Sequence, residues 1–281
     1  AGFHVICDKP FTIKSIEADQ LIETASKRNL LLAVTYNYSG YPMMRQARAM
    51  IREGEIGRIR VVQAEYAQSW LSEPIERAGH KQALWRTNPE ISGIGGCVGD
   101  IGTHAYHLIC FASGLTPTSL CADVSTFVEG RKLDDNANIL LRFDGNETGM
   151  IWTSQVAIGN SNGLKLRIFG DRGGIEWNQE NPNELIFSPL NKASQKISTG
   201  SPNAKIEASS ISRLPPGHPE GYLEAFANLY SEIADSIMDA RVGKLAKTLT
   251  SKPSGEDGRQ GVIFVESVIR SNSSGSVWVD L

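Results

Sequence analysis

The amino-acid sequence predicts an α/β plus α+β protein. A short parallel α/β piece comes first, followed by a larger α+β domain with an open, mostly antiparallel sheet. Three observations carry this prediction. The first forty residues contain one strand–helix–strand unit, the middle of the chain is rich in alternating strands, and amphipathic helices follow at 220–241 and 256–271. Helices packed on one face of an antiparallel sheet leave the other face available to a partner.

The α/β piece begins with the apolar run 3–7, which predicts a mostly buried strand. Apolar residues recur at helical spacing over 13–28, with Thr12 as the expected N-cap. The almost unbroken apolar run 30–37 predicts a second strand, buried on both faces. Such a βαβ unit is too small to be a stable domain alone. We therefore expect residues 1–38 to be the remnant of a domain whose front is missing, and residues 39–281 to form the second domain.

The second domain opens with a helix over 41–57 that closes near Gly54. Strands and hairpins then follow, and a long Ser/Asn/Pro-rich loop at 189–216 separates them from the last two helices. The predicted strands are 58–68 and 120–128, a hairpin over 136–157 turning at Asp144-Gly145, a second hairpin over 165–177 turning near Gly170-Asp171, and a closing strand at 276–281.

Composition and charge narrow the classes of function. The 281 residues carry a net charge of −3 without a basic stripe, which gives nucleic-acid or anionic-membrane binding little support. No apolar run approaches the ~20 residues of a membrane helix. The four cysteines are scattered without a C-x-x-C pair, which is typical of reduced thiols in a cytoplasmic protein and argues against a zinc site.

Lys9 is the first candidate for chemistry. It follows the predicted strand 3–7, and therefore lies at the carboxyl end of a parallel strand, where open α/β sheets bind ligands. Pro10 restrains Lys9 to an extended backbone. The alternative is a surface lysine that begins a loop.

The glycine-rich stretch 92–114 supplies the second candidates, Asp100 and His104. Its glycines fail the G-x-G-x-x-G pattern and no strand leads into it. If a helix begins near Val98, Asp100 and His104 lie on one face, near the positive end of the helix dipole. That field favours an ionised aspartate and a neutral histidine that can accept or relay a proton. The alternatives are a capping aspartate with a core histidine, and a metal site that includes His107.

Two further stretches carry side chains suited to binding. Trp85-Arg86 places an aromatic plate beside a fixed cation, which suits stacking on a ring or holding a phosphate, although ordinary packing is the alternative. His218 stands on a stiff loop of prolines and glycines that leads into the helix near Tyr222. A histidine presented in this way is a candidate substrate contact, and a turn residue that caps the helix is the alternative.

These segments occur in a recognisable order. They are C-D-K-P at 7–10, T-Y-N-Y at 35–38, W-R at 85–86, G-G-C-V-G-D-I-G-T-H at 95–104 and the helix at 256–271. Together they resemble the glucose–fructose oxidoreductase / inositol dehydrogenase (Gfo/Idh/MocA) family of NAD(P)-dependent oxidoreductases. Asp8 stands where the family usually has Glu, Cys97 interrupts the triple glycine, and His107 stands where the family often has Asp.

The resemblance implies a fold and a site. Residues 1–38 would be the C-terminal remnant of a Rossmann parallel sheet that binds NAD or NADP, and the rest would be the family's α+β domain. Lys9, Asp100 and His104 would form the catalytic group. The residues implied to contact the cofactor are Lys9, Pro10, Asn37, Trp85 and Arg86, and those implied to contact the substrate are Lys9, Asp100, His104, His218 and Tyr222.

The implied activity is hydride transfer between a nicotinamide and a sugar, polyol or inositol-type substrate. His104 would move the hydroxyl proton, and Lys9 would hold the reacting oxygen. The open sheet predicts a homodimer or homotetramer. The alternative is a truncated, inactive sugar-binding or oligomerisation module, because no glycine-rich loop is present to hold a pyrophosphate.

Overall fold

The computed structural model of the protein describes residues 2–242 and 252–281. The helices are α1 (Ser15–Lys27), α2 (Pro42–Arg52), α3 (Lys81–Arg86), α4 (Pro89–Ser92), α5 (Thr103–Ser113), α6 (Ile206–Ser209), α7 (Tyr222–Arg241) and α8 (Gly255–Ser273). The strands are β1 (Val5–Cys7), β2 (Leu32–Val34), β3 (Ile59–Ala67), β4 (Pro117–Ser125), β5 (Asn136–Phe143), β6 (Thr148–Ser154), β7 (Gly163–Gly170), β8 (Gly173–Asn178), β9 (Glu184–Pro189), β10 (Gln195–Ser198) and β11 (Val279–Asp280).

The predicted βαβ unit is confirmed, because β1 and β2 pair in parallel on either side of α1. Its N-cap prediction is wrong. Lys14 occupies the N-cap position instead of Thr12. The Glu17 carboxylate accepts the main-chain N–H groups of Ile13 and Lys14 at this end of the helix.

The burial predicted for the first strand is also wrong, because Val5 is 47% exposed and Ile6 is 41% exposed. Within the described residues, β1 has a strand neighbour on one side only. Its apolar side chains therefore lack the second layer that normally covers a parallel strand.

A nine-stranded sheet forms the second part, in the order β10-β9-β8-β7-β3-β6-β5-β4-β11. Both predicted hairpins are present, as β5–β6 and β7–β8. The sheet is open and mostly antiparallel, as the alternation predicts, with one exception in its middle. There β3 runs parallel to β6 and antiparallel to β7.

The segment 189–216 was expected to be one long loop, and this expectation is wrong. It contains β10, which extends the sheet at its edge, and the short helix α6. The Ser/Asn/Pro-rich composition hid both elements. Among the strands that the structure describes, β10 pairs only with β9, so little of it is buried and its apolar pattern is weak.

Helices α2, α5 and α8 cover one face of the sheet and enclose the main core. The other face presents apolar side chains to solvent, including Leu140, Met150 and Phe169. Leu140 and Met150 are direct partners across β5 and β6, so these two exposed side chains lie side by side.

Helix α8 connects the two parts of the chain. Its residue Val262 packs in a second cluster with Phe11, Ala18, Val34 and Tyr36, while other residues of α8 pack against β4 and α5. The carboxyl ends of β1 and β2 are thereby fixed next to the start of α5. Within the described residues, no helix is long and apolar enough to cross a membrane.

Candidate active site

A cavity of about 540 Å³ opens where the carboxyl ends of β1 and β2 meet the segment that leads into α5. Side chains from both parts of the chain line it, so the cavity exists only because those parts are packed together. The lining residues are Asp8, Lys9, Thr35, Asn37, Tyr38, Tyr66, Gln68, Trp70, His80, Gln82, Arg86, Asp100, Ile101, His104, Asn162, Tyr222 and Phe226.

Asp100 accepts hydrogen bonds from three surrounding side chains. We call Asp100 and its donors Lys9, Arg86 and Gln155 the charged wall. Lys9 Nζ lies 2.9 Å from Asp100 Oδ1 and also donates to the main-chain oxygen of Asp100. Asp100 Oδ2 accepts from Arg86 Nε at 3.1 Å and from Gln155 Nε2 at 2.8 Å. Two of the three ammonium hydrogens of Lys9 are thus directed at Asp100, and the third remains for a ligand.

The charged wall keeps Asp100 ionised. Burial by itself raises the pKa of this carboxyl, but the positive charges of Lys9 and Arg86 outweigh burial and lower the pKa below its usual value. The sequence predicted an ionised Asp100 on the grounds of the helix dipole. The direction agrees, whereas the cause in the structure is direct pairing with two cations.

A single π-helical turn, Val98–Gly102, precedes α5 and carries Asp100. Its start is held by Asp134, whose carboxylate accepts the main-chain N–H groups of Gly96 and Val98. A Cβ on Gly96 would lie 2.1 Å from the Asp134 main-chain oxygen, so only glycine allows this approach. The glycine run therefore serves the packing of this turn.

His104 lies on α5, one turn after Asp100, and its ring is enclosed by aromatic neighbours. The ring centroid is 4.8 Å from that of Tyr38 and 5.8 Å from that of Tyr36, both in edge-to-face geometry. Burial lowers the pKa of His104 well below its usual value, and the charge of Lys9 adds to the shift. The histidine is therefore neutral at neutral pH and can accept a proton from a group in the cavity.

His107 lies one turn further along α5 and does not line the cavity. Its ring stacks on Tyr36, with centroids 4.2 Å apart and planes 7° from parallel. Burial lowers the pKa of His107 to about 4, with Arg48 and Arg45 adding to the shift and Asp257 opposing it. In the described structure, His107 is a core residue behind His104.

Three uncharged side chains of the cavity lining form a second group, which we call the neutral wall and define as Tyr38, Tyr66 and Asn162. The two tyrosine oxygens are 2.5 Å apart, and Tyr66 Oη is 2.7 Å from Asn162 Oδ1. Asn162 Nδ2 lies 3.3 Å from Tyr38 Oη, which closes a ring of hydrogen bonds. The three side chains come from the segment after β2, from β3 and from the loop before β7.

The structure brings together most of the side chains singled out in the sequence. Lys9, Asn37, Arg86, Asp100, His104 and Tyr222 all line the cavity. Pro10, Trp85 and His218 do not. Trp85 instead lies against Arg86, whose guanidinium carbon is 4.1 Å from the centroid of the Trp85 ring. His218 is exposed on the loop before α7.

Several cavity residues escaped sequence reasoning, among them Tyr66, Trp70, His80 and Asn162. Sequence reasoning also missed Gln155, a buried residue outside the lining that donates to Asp100. They stand on strands and loops whose sequence carries no motif, and long-range strand pairing brings them together. For His80, its place at the start of α3 was a signal that could have located its side chain. It caps α3 by accepting the Ala83 N–H at its Nδ1, and a cap fixes where the ring lies.

A metal site was one of the alternatives for Asp100, His104 and His107. Across residues 2–242 and 252–281, no group of three or more His, Cys, Asp or Glu side chains is arranged to hold a metal ion. His107 stacks on Tyr36 instead of facing Asp100.

Comparisons with known proteins place this geometry in context. Residues 44–176 match the profile of the GFO/IDH/MocA C-terminal domain. The uncharacterized oxidoreductase YfiI of Bacillus subtilis is 34% identical over the whole of this chain, which covers 72% of that protein. The levoglucosan dehydrogenase of Pseudarthrobacter phenanthrenivorans is 26% identical over the whole chain, which covers 74% of it.

Solved structures show the same similarity in three dimensions. An inositol dehydrogenase homolog from Azotobacter vinelandii, complexed with NAD+, superposes on the whole chain with a TM-score of 0.95 at 36% identity, over 72% of its own length. A structure of the inositol dehydrogenase homolog from that organism with NADH and myo-inositol superposes with a TM-score of 0.92 at 35% identity, again over 72% of its length.

Proposed function

This chain belongs to the GFO/IDH/MocA family, and we propose that it is an NAD(P)-dependent oxidoreductase acting on a sugar, polyol or inositol-type substrate. One observation supports the proposal above the others. Lys9, Asp100 and His104, which come from two distant parts of the sequence, line one cavity with Lys9 Nζ 2.9 Å from Asp100 Oδ1. A fixed cation beside a neutral buried histidine is the pair of groups that alcohol oxidation needs.

The cavity contains a donor suited to the nicotinamide end of the cofactor. Asn37 Nδ2 is buried, has no hydrogen-bond partner within the described part of the chain, and belongs to a residue that lines the cavity beside Lys9. A buried donor without a partner is costly unless a ligand supplies an acceptor. The carboxamide or ribose oxygens of a bound nicotinamide nucleotide are such acceptors, so Asn37, Lys9 and Arg86 are the residues that would hold this end.

The chain's own residues then handle the proton and the developing charge, while a bound nicotinamide supplies the site that gains or gives the hydride. During oxidation His104 takes the hydroxyl proton, because burial keeps its imidazole neutral. During reduction the same ring returns the proton.

Lys9 binds the reacting oxygen with the ammonium hydrogen that Asp100 leaves available, and it stabilises the negative charge that develops there. Asp100 directs Lys9 at the substrate and, with Arg86, keeps the ammonium group in one place. The charged wall therefore acts as a single unit.

The relatives guide the choice of substrates, since one structural neighbour is complexed with myo-inositol and one relative is a levoglucosan dehydrogenase. The test uses the full-length gene product that contains this chain. Nicotinamide absorbance at 340 nm is followed with NAD+ or NADP+ against inositols, aldoses and levoglucosan, and against their oxidised forms with NADH or NADPH.

The assignment of residues is tested by Lys9→Met and His104→Ala, each expected to lower kcat by at least ~100-fold. Lys27→Met, an exposed lysine on α1, and His218→Ala, an exposed histidine outside the cavity, are the matched controls and should keep wild-type turnover. Undiminished turnover in both cavity variants would rule out these roles. Polyol binding without turnover in the wild type would support a sugar-binding module instead.

A second copy of the chain is the partner we propose for the open sheet face that contains Leu140 and Met150. Light scattering of the purified protein measures this directly. A monomer at micromolar concentration would contradict a homodimer or homotetramer.

A further inference from the structure

We propose that the neutral wall selects substrates by accepting hydrogen bonds without donating any, so that the substrate must present a free hydroxyl to Tyr38 and Tyr66. This inference rests on the proposed function, because it concerns the substrate of the same cavity. It adds a requirement that membership of the family does not supply. The direction of every hydrogen bond in the wall is fixed by one residue at its edge.

That residue is Trp70. An indole N–H can only donate, and Trp70 Nε1 lies 3.0 Å from the amide oxygen of Gln68. The amide nitrogen of Gln68 therefore faces the other way and donates to Asn162 Oδ1 at 2.9 Å. In this orientation Asn162 Nδ2 donates to Gln179 Oε1 at 2.6 Å on its other side.

The orientation of Asn162 fixes the two tyrosine hydroxyls in turn. Since Asn162 presents its oxygen to Tyr66, the single hydrogen of the Tyr66 hydroxyl is donated there. Tyr66 then has no hydrogen for Tyr38, so Tyr38 donates to Tyr66. The remaining Asn162 hydrogen points to Tyr38 Oη. Every hydrogen of the neutral wall is committed within the protein, and only lone pairs on the tyrosine oxygens remain for a ligand.

The wall keeps this character at working pH. Burial raises the pKa of Tyr38 and raises that of Tyr66 well above its usual value, so both hydroxyls stay protonated and uncharged. Tyr38 and Tyr66 are also 4% and 3% exposed, so their rings are fixed in place and the hydrogen bonds to Tyr66 and Asn162 decide where each hydroxyl hydrogen points.

The ligand chemistry follows from this inventory. A hydroxyl of the substrate can donate to Tyr38 or Tyr66, and its own oxygen needs no partner there. A carbonyl, a fluorine, a carboxylate or a phosphate at the same place sets lone pair against lone pair and leaves a buried acceptor unpaired. The cavity should therefore take neutral polyols with a free hydroxyl on this side, and reject sugar acids or sugar phosphates whose charged group would lie there.

Tyr66→Phe tests the direction of the hydrogen bonds, because it should change the neutral wall from an acceptor into a donor. Without the Tyr66 oxygen, the Tyr38 hydrogen loses its acceptor and turns to the cavity. A wall that only accepts then becomes a wall that can donate, and a fluorine in place of the hydroxyl becomes tolerated. Loss of a contact alone would lower the rates of both substrates without improving the fluorinated one relative to the other.

The experiment measures kcat/KM for the polyol found in the substrate screen, with the myo-inositol series as the first probe, and for its monodeoxyfluoro analogues at each ring position except the carbon that is oxidised. In the wild type we expect one position at which fluorine lowers kcat/KM by about 100-fold. In Tyr66→Phe that ratio should fall at least tenfold at the same position. Tyr41→Phe is the matched control, because Tyr41 accepts from Gln179 at the far end of the network and does not line the cavity.

Tyr38→Phe gives a second measurement in case Tyr66→Phe does not fold. It removes one acceptor and should lower kcat/KM of the parent polyol about tenfold. The ratio of kcat/KM between the parent and the fluorinated polyol should become smaller. Equal rates for parent and fluorinated substrates at every position, or an unchanged ratio in Tyr66→Phe, would overturn the proposal. If the wild type oxidises no polyol, the proposed function fails. Calorimetric binding of the same compounds then tests separately whether the neutral wall accepts hydrogen bonds without donating any.

Discussion

The two walls of the cavity treat polar groups in opposite ways. On the charged wall, Lys9, Arg86 and Gln155 all donate to Asp100, and an ammonium hydrogen is left over for a ligand. On the neutral wall, Tyr38, Tyr66 and Asn162 use every hydrogen among themselves. The first wall is suited to stabilising charge on a reacting oxygen, and the second to recognising the hydroxyls that do not react.

Asp100→Asn breaks the charged wall and should have the largest effect. The amide keeps the shape of the carboxylate but removes the charge that holds Lys9 and Arg86, so Lys9 no longer has one position. We expect kcat to fall about 100-fold, because misplacing a catalytic group by about 1 Å costs that much. Steady-state kinetics with the preferred polyol measures it.

The control for Asp100→Asn is Asp134→Asn. Asp134 is a buried carboxylate in the same region that accepts two main-chain N–H groups and does not line the cavity. Its substitution should lower stability with little change in kcat of the folded fraction. Equal losses of kcat in both variants would mean that Asp100 acts only by holding the π-helical turn.

Replacing Arg131 should disturb the positions of side chains in both walls. Its side chain is 1% exposed and clasps the segment after β3 by donating to the main-chain oxygens of Leu71 and Glu73, while pairing with Glu76 and Asp135. That segment carries Trp70 for the neutral wall and leads to α3 with Arg86 for the charged wall. Arg131→Gln should lower kcat about tenfold and cost about 3 kcal/mol of stability.

Arg131 is a positioning residue, so the readout must separate it from general destabilisation. Arg131→Lys keeps one cation and should recover part of kcat, and in both variants kcat should change more than KM. Arg77→Gln is the matched control, since Arg77 is a neighbouring arginine that donates to the main-chain oxygen of Glu129. A fall in stability without a change in kcat would assign Arg131 to folding alone.

His107 is buried outside the cavity, and replacing it should leave catalysis nearly unchanged while altering how stability depends on pH. Because burial lowers its pKa to about 4, the folded protein binds fewer protons at this site than the unfolded chain, whose histidine pKa is about 6.5. Its contribution to stability is therefore present above pH 6.5 and is lost as the pH falls to about 4. The linked change is about 3 kcal/mol.

Urea unfolding at pH 7 and at pH 4 measures this effect. His107→Phe, which keeps a ring to stack on Tyr36, should lose about 3 kcal/mol less than the wild type between the two pH values. Phe111→Leu is the control, because it alters the packing around His107 without a titrating group. An equal acid-induced loss in His107→Phe and the wild type would contradict a neutral, buried His107.

Sequence reasoning reached the charged wall and missed the neutral wall, for a physical reason. Lys9 follows a strand, and Asp100 and His104 are spaced along a helix, so local pattern and motif order locate them. Tyr66 and Asn162 meet only because β3 pairs with β7, and neither sequence period nor spacing encodes which strands become neighbours.

The same limit applies to side-chain direction and to strand burial. Trp85 and His218 stand in distinctive local sequences, but local sequence does not say which way a side chain points, and neither residue lines the cavity. Burial of β1 was overestimated because an apolar run reports what a strand can bury and carries no information about what covers it. Element types were predictable, whereas pairings and directions were not.

The central position of β3 has a consequence for how the protein is made. On the ribosome, β3 is complete long before either of its partners, because β6 begins at Thr148 and β7 at Gly163. Non-local strand pairing of this kind slows folding and leaves unpaired edges exposed during synthesis. The strand that carries Tyr66 therefore lacks both of its neighbours until β6 and β7 have been synthesised.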